Sequence, residues 1–191
     1  MWNPKWEQPK TLQLSSQAFQ IYKYIQREAY GIGEDHSMPG ARRIVLELVK
    51  SGAVKNLFLE LLPHMKHIIT TATNLLGQNS EAEALDHLKL IDFQIYFKNQ
   101  IPFSSIILEA LKKNVNVHCE SKWANAGDTG GVFSKRNKEI AQIIKDKTAT
   151  TKNGYGARGC LLLFGSQHFT HCSNSISHFY PDLYHIDLSK L

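Results

Sequence analysis

The sequence predicts an α/β fold, a three-layer, doubly wound and mostly parallel sheet of four or five strands with helices on both faces. Its strands read as short, continuous apolar runs, which is typical of strands buried on both sides. These runs alternate along the chain with segments of helical period. The 191 residues are 42% hydrophobic and 20% charged, an ordinary composition for one globular domain. We expect that domain over residues 15–191, preceded by an arm over residues 1–14.

The first part of the chain predicts a helix, a strand and a second helix. Apolar residues recur at helical spacing over residues 15–25, with a serine available as the N-cap. Residues 29–34 form a short apolar run that ends in glycine and glutamate, as a strand does where it leaves the core. Ser37 and Pro39 then supply a cap and an early-turn proline for the next helix.

The middle of the chain predicts one strand and three helices. Residues 54–60 form an apolar run that again ends on a carboxylate. A proline breaks this strand, and a helical stretch over residues 63–74 follows it. Two more helices are predicted over residues 81–99 and 103–113, separated by a second proline.

The last part predicts two buried strands on either side of a helix, and a final short strand. Residues 115–120 form a strand that ends on an acid, and the glycine-rich segment over residues 121–131 predicts a loop. A helical period runs through residues 132–147. The most apolar strand covers residues 159–165, and residues 184–188 give a final strand.

Polar residues follow four of the predicted strands at their carboxyl ends. In open parallel sheets, ligands bind outside these ends. The residues concerned are Glu34, His36, Glu60, Glu120 and His168. Carboxylates placed close together raise each other's pKa, whereas a nearby imidazolium or metal lowers it. We therefore expect one cleft that holds either a metal or an acid/base constellation.

Two pairs of residues at predicted helix starts favour an anionic ligand. Arg136 and Asn137 open the helix after the glycine-rich loop, and Arg42 and Arg43 lie early in the helix after the first strand. A helix start with free N–H groups plus arginine favours an anion. We assign Arg42, Arg43, Asn137 and Glu120 to substrate binding, and expect a small-molecule or peptide substrate that carries an anionic group.

Composition argues against several other classes of protein. The net charge of +5 is only mildly basic, and no run of five lysines or arginines occurs, so no nucleic-acid partner is expected. Three cysteines at irregular spacing do not form a disulfide framework. The sequence shows neither the apolar core of a Sec signal peptide nor an apolar run long enough for a membrane span. The sequence leaves the oligomeric state open.

Other catalytic and cofactor signatures are absent or incomplete in the sequence. No Gly-x-Ser-x-Gly elbow, P-loop or Gly-x-Gly-x-x-Gly motif occurs, so serine hydrolase and nucleotide-binding folds lose their usual support. Haem binding stays open as an alternative. Its candidate axial ligands are His64, Met65, His67 and Tyr96.

Five short motifs, in one order along the chain, carry a family resemblance. They are Gly33-Glu34-Asp35-His36, Leu57-Phe58-Leu59-Glu60, His118-Cys119-Glu120-Ser121, Arg136-Asn137 and Phe164-Gly165-Ser166-Gln167-His168. In that order they resemble the superfamily that joins the erythromycin esterases, the ChaN-like haem-binding lipoproteins and the TIKI/TraB metalloproteases. Related domains occur in large bacterial toxins and secreted effectors. The resemblance covers about residues 29–170.

The resemblance implies a site of paired histidines and several glutamates. Glu34 and His36 match the first family motif, Glu60 the second and His168 the last. In the esterase branch, such a histidine and glutamate activate water against an ester. In the TIKI branch, histidine and acid residues are associated with a divalent metal and peptide cleavage. In the ChaN branch, the same scaffold binds haem.

We accordingly expect a hydrolase in which Glu34, His36 and Glu60 hold or deprotonate water, while His168 and Arg136 steady the developing oxyanion. A divalent metal (Mn, Co or Zn), if bound, would be held by Glu34, His36, Glu60 and His168. The alternative is a non-catalytic ligand- or haem-binding module of the same fold. The resemblance further implies a bacterial toxin or effector, either cytoplasmic or secreted into a host cell by a specialised secretion system. Glu34→Ala and His36→Ala are each expected to abolish activity at little cost in stability.

Overall fold

Five strands form a parallel sheet at the centre of the protein. The computed structural model describes residues 14–94, 99–119, 130–149, 158–169 and 173–189. The strands are β1 (Tyr30–Glu34), β2 (Asn56–Leu59), β3 (Asn116–His118), β4 (Cys160–Gly165) and β5 (Tyr184–Asp187). Their order across the sheet is β3-β2-β4-β1-β5, and each neighbouring pair is parallel. The predicted α/β class with a parallel sheet is confirmed.

Seven α-helices are present in the described ranges. They are α1 (Ser16–Ile25), α2 (Gly40–Lys50), α3 (Lys66–Gly77), α4 (Glu81–Gln94), α5 (Phe103–Lys112), α6 (Gly130–Ala149) and α7 (Ile176–Phe179). Short 3-10 turns cover Pro63–Met65 and Ser166–His168. None of the helices in these ranges has the length and apolar character that crossing a membrane would require.

The cap of α2 and the presence of α7 differ from the sequence-based expectation, and α3 and α6 begin and end a few residues away from their predicted bounds. The cap of α2 is Pro39 and not Ser37, because Ser37 donates from both its backbone nitrogen and its hydroxyl to Asp35 Oδ1. The four-residue helix α7 was not expected, since it is too short to show a helical period. The predicted arm falls outside the described residues except for Leu14, and so stays a prediction.

The central strand β4 shows why the sequence runs are continuously apolar. Leu161 and Leu163 pack into the larger core cluster, together with the buried faces of α1 to α5. Leu162 and Phe164 point to the opposite face and pack against α6 and α7. Because side chains alternate along a strand, both faces of the sheet are covered and every position of β4 needs an apolar residue. This arrangement makes the three layers.

The strand register brings three strand ends to the same level. Leu163 of β4 lies between Ile32 of β1 and Leu59 of β2. Two residues further along β4, Gly165 therefore pairs with Glu34. On the other side, the backbone nitrogen of Glu60 donates to the Leu163 carbonyl over 3.2 Å. The first and second predicted acids thus lie on either side of the end of β4.

Two glycines of β1 let the segment after β4 fold closely over the sheet. A Cβ atom on Gly31 would lie 2.5 Å from the ring of Phe169, and one on Gly33 would lie 3.0 Å from the Cα atom of Ser166. A larger residue at either position would push this segment away. The glycines therefore help to place His168, which ends the intervening 3-10 turn.

Candidate functional site

Glu34 is a buried carboxylate held by an arginine from the next helix. It ends β1, and Arg42 in the first turn of α2 donates to it from Nε to Oε2 over 2.8 Å and from Nη2 to Oε1 over 3.2 Å. The guanidinium of Arg42 is itself buried and lies 3.9 Å from the ring centroid of Phe103. Its Nη1 donates to the Ile101 carbonyl. Both carboxylate oxygens of Glu34 are therefore already engaged.

His36 is oriented from behind by Glu34. Its Nδ1 lies 2.8 Å from Glu34 Oε1, and because a carboxylate only accepts, Nδ1 donates. Asn99 fixes the loop by donating from Nδ2 to the carbonyls of His36 and Met38, each over 2.9 Å. The opposite nitrogen, Nε2, lies 3.5 Å from Glu60 Oε2, and a quarter of the His36 side chain is exposed. His36 is thus a fixed imidazole whose outer nitrogen faces Glu60.

Glu60 is the carboxylate on which the site converges. Arg136 Nη2 donates to its Oε1 over 2.6 Å, and His168 Nε2 lies 3.1 Å from the same oxygen. The backbone nitrogen of Gly165 donates to Oε2 over 2.6 Å. Only 16% of the Glu60 side chain is exposed. Glu60 therefore joins a side chain of α6, the backbone at the end of β4 and a side chain of the turn that follows β4.

His168 is the buried member of the histidine pair. Its Nδ1 lies 2.6 Å from Asn137 Oδ1, and the amide nitrogen of Asn137 donates to the Asn174 carbonyl over 2.7 Å. Asn137 is fully buried, and only 4% of the His168 side chain is exposed. His168 therefore contacts Glu60 from inside the protein, whereas His36, which is more exposed, contacts it from the side nearer to solvent.

The pKa values of Glu60 and His36 shift in opposite directions. Burial is the largest influence on Glu60 and would raise its pKa, but the hydrogen bond from His168 and the charges of His168, His36 and Arg136 outweigh it, so the pKa of Glu60 is lowered. Burial also opposes the charged form of His36. The hydrogen bond to Glu34 and the charges of Glu60 and Glu34 outweigh that effect and raise the pKa of His36.

The structure brings five of the predicted residues into one cluster. Four elements contribute Glu34, His36, Glu60, Arg136 and His168. The structure does not bring the residues that were assigned to substrate binding into this cluster in that role. Arg42 and Asn137 are buried behind the groups that they hold, so they position Glu34 and His168 and do not reach a substrate. Arg43 is exposed on α2, and Glu120 lies outside the described residues.

Sequence reasoning missed Gly165 and Asn99. A Cβ atom on Gly165 would lie 3.1 Å from His36 Nε2 and 3.3 Å from Glu60 Oε2, so a larger residue would require these side chains to shift. The motif that ends in His168 contains Gly165, but a glycine after an apolar strand usually marks only a turn. Asn99 is the last residue of the helix predicted over residues 81–99, but it is not helical in the structure, and nothing in the sequence indicates its contact with the loop at His36.

The described residues do not fit the metal site that the resemblance implies. No group of three or more His, Cys, Asp or Glu side chains in the described ranges is arranged to hold a metal ion. Both oxygens of Glu34 are engaged by Arg42 and His36. The oxygens of Glu60 already accept from Arg136 and Gly165. A cation would have to displace donors that include an arginine, which is unfavourable.

The candidate haem ligands are engaged in other contacts. Met65 is buried in the core. His64 Nε2 lies 2.9 Å from Gln94 Oε1, and the Nδ1 atom of His67 is hydrogen-bonded to the carbonyl of His64. Tyr96 lies outside the described residues. These contacts are those of packing and helix-start residues.

Comparison of the chain with protein-family models, with curated proteins and with solved structures finds no match. The chemistry of the cluster is accordingly argued from its own geometry.

Proposed function

We propose that this chain is a hydrolase that cleaves an ester or peptide bond, with His36 as its general base. The observation that carries the proposal is the Glu34–His36 pair. A buried carboxylate holds the inner nitrogen of the ring at 2.8 Å, and the outer nitrogen lies 3.5 Å from Glu60 Oε2 in a side chain that is a quarter exposed. This is the arrangement by which a carboxylate orients a histidine that accepts a proton during acyl transfer.

The proposed reaction is a direct attack by water. Nε2 of His36 removes a proton from water while the water oxygen forms a bond to the substrate carbonyl carbon. The carbonyl electrons move onto oxygen, and Arg136 donates to this oxyanion. The oxyanion then re-forms the carbonyl as the bond to the leaving group breaks, and His36 returns its proton to that group.

Glu60 has a positioning role in this proposal. Its carboxylate already accepts from Arg136 and Gly165 and contacts His168, and its pKa is lowered. A carboxylate stabilised in this way is a weak base. We therefore assign the removal of the proton to His36, and assign to Glu60 the placing of Arg136 beside the substrate.

An anionic group on a small-molecule or peptide substrate is supported by the charge distribution. Glu34 is fully paired inside the protein, and Glu60 is mostly covered by its donors. His36, a quarter of whose side chain is exposed, is then the most accessible charged group that the cluster presents to a ligand, and Arg136 lies next to it on Glu60. Both residues favour negative charge.

A panel of p-nitrophenyl esters and fluorogenic peptides tests the proposal with His36→Gln and, as the matched control, His178→Gln. His178 is exposed and lies on α7. We expect a loss in kcat/KM of about 10²- to 10⁴-fold for His36→Gln and none for the control. In the wild type, kcat/KM should rise with pH through a value above 6.5, since the base must be unprotonated and the pKa of His36 is raised.

The same assay distinguishes the alternatives. Activity that disappears with chelator and returns with Mn²⁺, Co²⁺ or Zn²⁺ would replace the metal-free mechanism with a metal-dependent one. Equal activity in His36→Gln and the wild type would exclude His36 as the base. A chain that binds ligands or haem but turns over no substrate would be a binding module.

A further inference from the structure

Asn137 lies behind His168 and is fixed in one orientation. Its amide nitrogen donates to the Asn174 carbonyl over 2.7 Å, and its side chain is fully buried. Because a backbone carbonyl only accepts, the NH₂ end of Asn137 must face Asn174. The Oδ1 end is then the one that faces His168, at 2.6 Å from Nδ1. This oxygen also only accepts.

Both ring nitrogens of His168 therefore face acceptors. Nδ1 carries a proton because it donates to Asn137 Oδ1. On the other side of the ring, Nε2 lies 3.1 Å from Glu60 Oε1, an oxygen that already accepts from Arg136. A hydrogen bond across this second contact requires a second proton. A neutral ring with its proton on Nδ1 would instead turn a lone pair towards a carboxylate.

We infer that Asn137 is a positioning residue that keeps a proton on Nδ1 of His168, so that the His168–Glu60 contact stores a second proton. The protonated ring and Arg136 then both donate to Glu60 Oε1, whereas a neutral ring with its proton on Nδ1 would make no hydrogen bond to this carboxylate. Only the use of this proton rests on the proposed function, in which it keeps Glu60 ionised so that Glu60 can place Arg136 beside the substrate.

The inner ring nitrogens of the two histidines consequently contact different kinds of group. His36 has the carboxylate of Glu34 behind its inner nitrogen, and it is partly exposed. His168 has a neutral amide behind its inner nitrogen, and it is buried. The amide holds the ring without adding a charge. The geometry therefore assigns proton exchange with substrate to His36 and proton storage to His168.

Long-range ¹H–¹⁵N correlation spectra of protein labelled at histidine test this inference at pH 7. In the wild type, we expect both ring nitrogens of His168 to show the signature of a protonated nitrogen. Asn137→Leu removes the acceptor, and the ring should change to a single proton on Nε2. Asn137→Asp keeps an acceptor, and both protons should remain. Asn174→Ala, the matched control, leaves the backbone carbonyl in place and should give the wild-type spectrum.

A wild-type His168 with a single proton on Nε2 would overturn the inference, and this result needs no variant to fold. Two protons retained in Asn137→Leu would show that Asn137 does not set the state of the ring. Neither result affects the hydrolase proposal, which is decided by the loss of turnover in His36→Gln.

Discussion

Arg42 and Glu34 form an ion pair that is closed off from solvent. Two hydrogen bonds join them, and Phe103 covers the guanidinium. Removing two charges from water is costly, and their attraction repays that cost only when the remaining donors and acceptors are satisfied. Losing one partner is worse than losing both, because it leaves a buried charge alone. Stability and site geometry therefore depend on the same pair.

At this residue scale, we predict that Glu34→Ala lowers the free energy of unfolding by about 3–5 kcal/mol. We expect this loss of stability for Glu34→Ala, and not the small loss expected from the sequence alone, because Arg42 would remain buried without its carboxylate partner. His36→Ala should cost much less, because the side chain of His36 is partly exposed. Urea unfolding of both variants measures the difference.

The control is Glu83→Ala, at an exposed acid in the first turn of α4. It should remain within about 1 kcal/mol of the wild type. A Glu34→Ala variant as stable as this control would mean that Arg42 finds water or another acceptor, and that the pair is not closed off as described.

The end of β4 is an element whose shape sets the distance between two site residues. The backbone nitrogen of Gly165 donates to Glu60 Oε2, and a Cβ atom added to Gly165 would lie 3.1 Å from His36 Nε2. The same strand end is level with Glu34 across the sheet. A side chain at this position would therefore occupy the space between the imidazole of His36 and the carboxylate of Glu60, which follow β1 and β2.

We predict that Gly165→Ala displaces His36 and lowers turnover by at least about 10-fold, a difference of about 1.4 kcal/mol in activation free energy. The reason is steric, since the added Cβ would lie 3.1 Å from Nε2 of His36. The pKa of His36, measured by NMR titration, should change in the same variant. Gly77→Ala is the matched control, because an added Cβ there meets nothing within 4 Å. Unchanged turnover and an unchanged His36 titration in Gly165→Ala would contradict the prediction.

The elements themselves were largely predictable, and the contacts between them were not. Apolar runs that end on Glu34, Glu60 and Gly165 indicate strands because their composition is local information. The role of Arg42 depends on Phe103, which is 61 positions away in the sequence. An arginine at a helix start looks the same in sequence whether it binds substrate or pairs inside the core. The role of Gly165 could not be predicted for the same reason, because its contacts with His36 and Glu60 join residues that are far apart in the sequence.

At the scale of the whole molecule, the cluster links stability to pH in two directions. The lowered pKa of Glu60 means that its contribution to stability is present above its ordinary value of 4.5 and is lost as the pH falls towards the folded-state value. The raised pKa of His36 means that its contribution is present below 6.5 and is lost as the pH rises through the folded-state value.

We predict that the cluster contributes most to folding stability between about pH 4.5 and 6.5. The free energy of unfolding, measured in urea from pH 3 to 9, checks this. The difference between the wild type and Glu60→Gln should shrink below pH 4.5, and the difference between the wild type and His36→Gln should shrink at alkaline pH. Differences that do not vary with pH would show that neither group is coupled to folding.

The strand order was the part of the fold least accessible to sequence reasoning. Continuous apolar runs such as residues 160–165 indicate burial on both faces but carry no record of which strand lies beside them. The pairing of β4 with both β1 and β2 depends on side chains more than 100 positions apart. The predicted convergence of the strand ends needed only parallel strands, which is why it could be stated without the order.

The late position of β4 in the sequence has a consequence for biosynthesis. β1 and β2 both end before residue 60, yet in the folded protein they flank a strand that ends at residue 165. The sheet cannot close until this middle strand has been made. Pairings between distant segments also slow folding. Any truncated product that stops before residue 160 lacks the strand that lies between β1 and β2, so the cluster of Glu34, His36, Glu60, Arg136 and His168 can form only after β4 has been made.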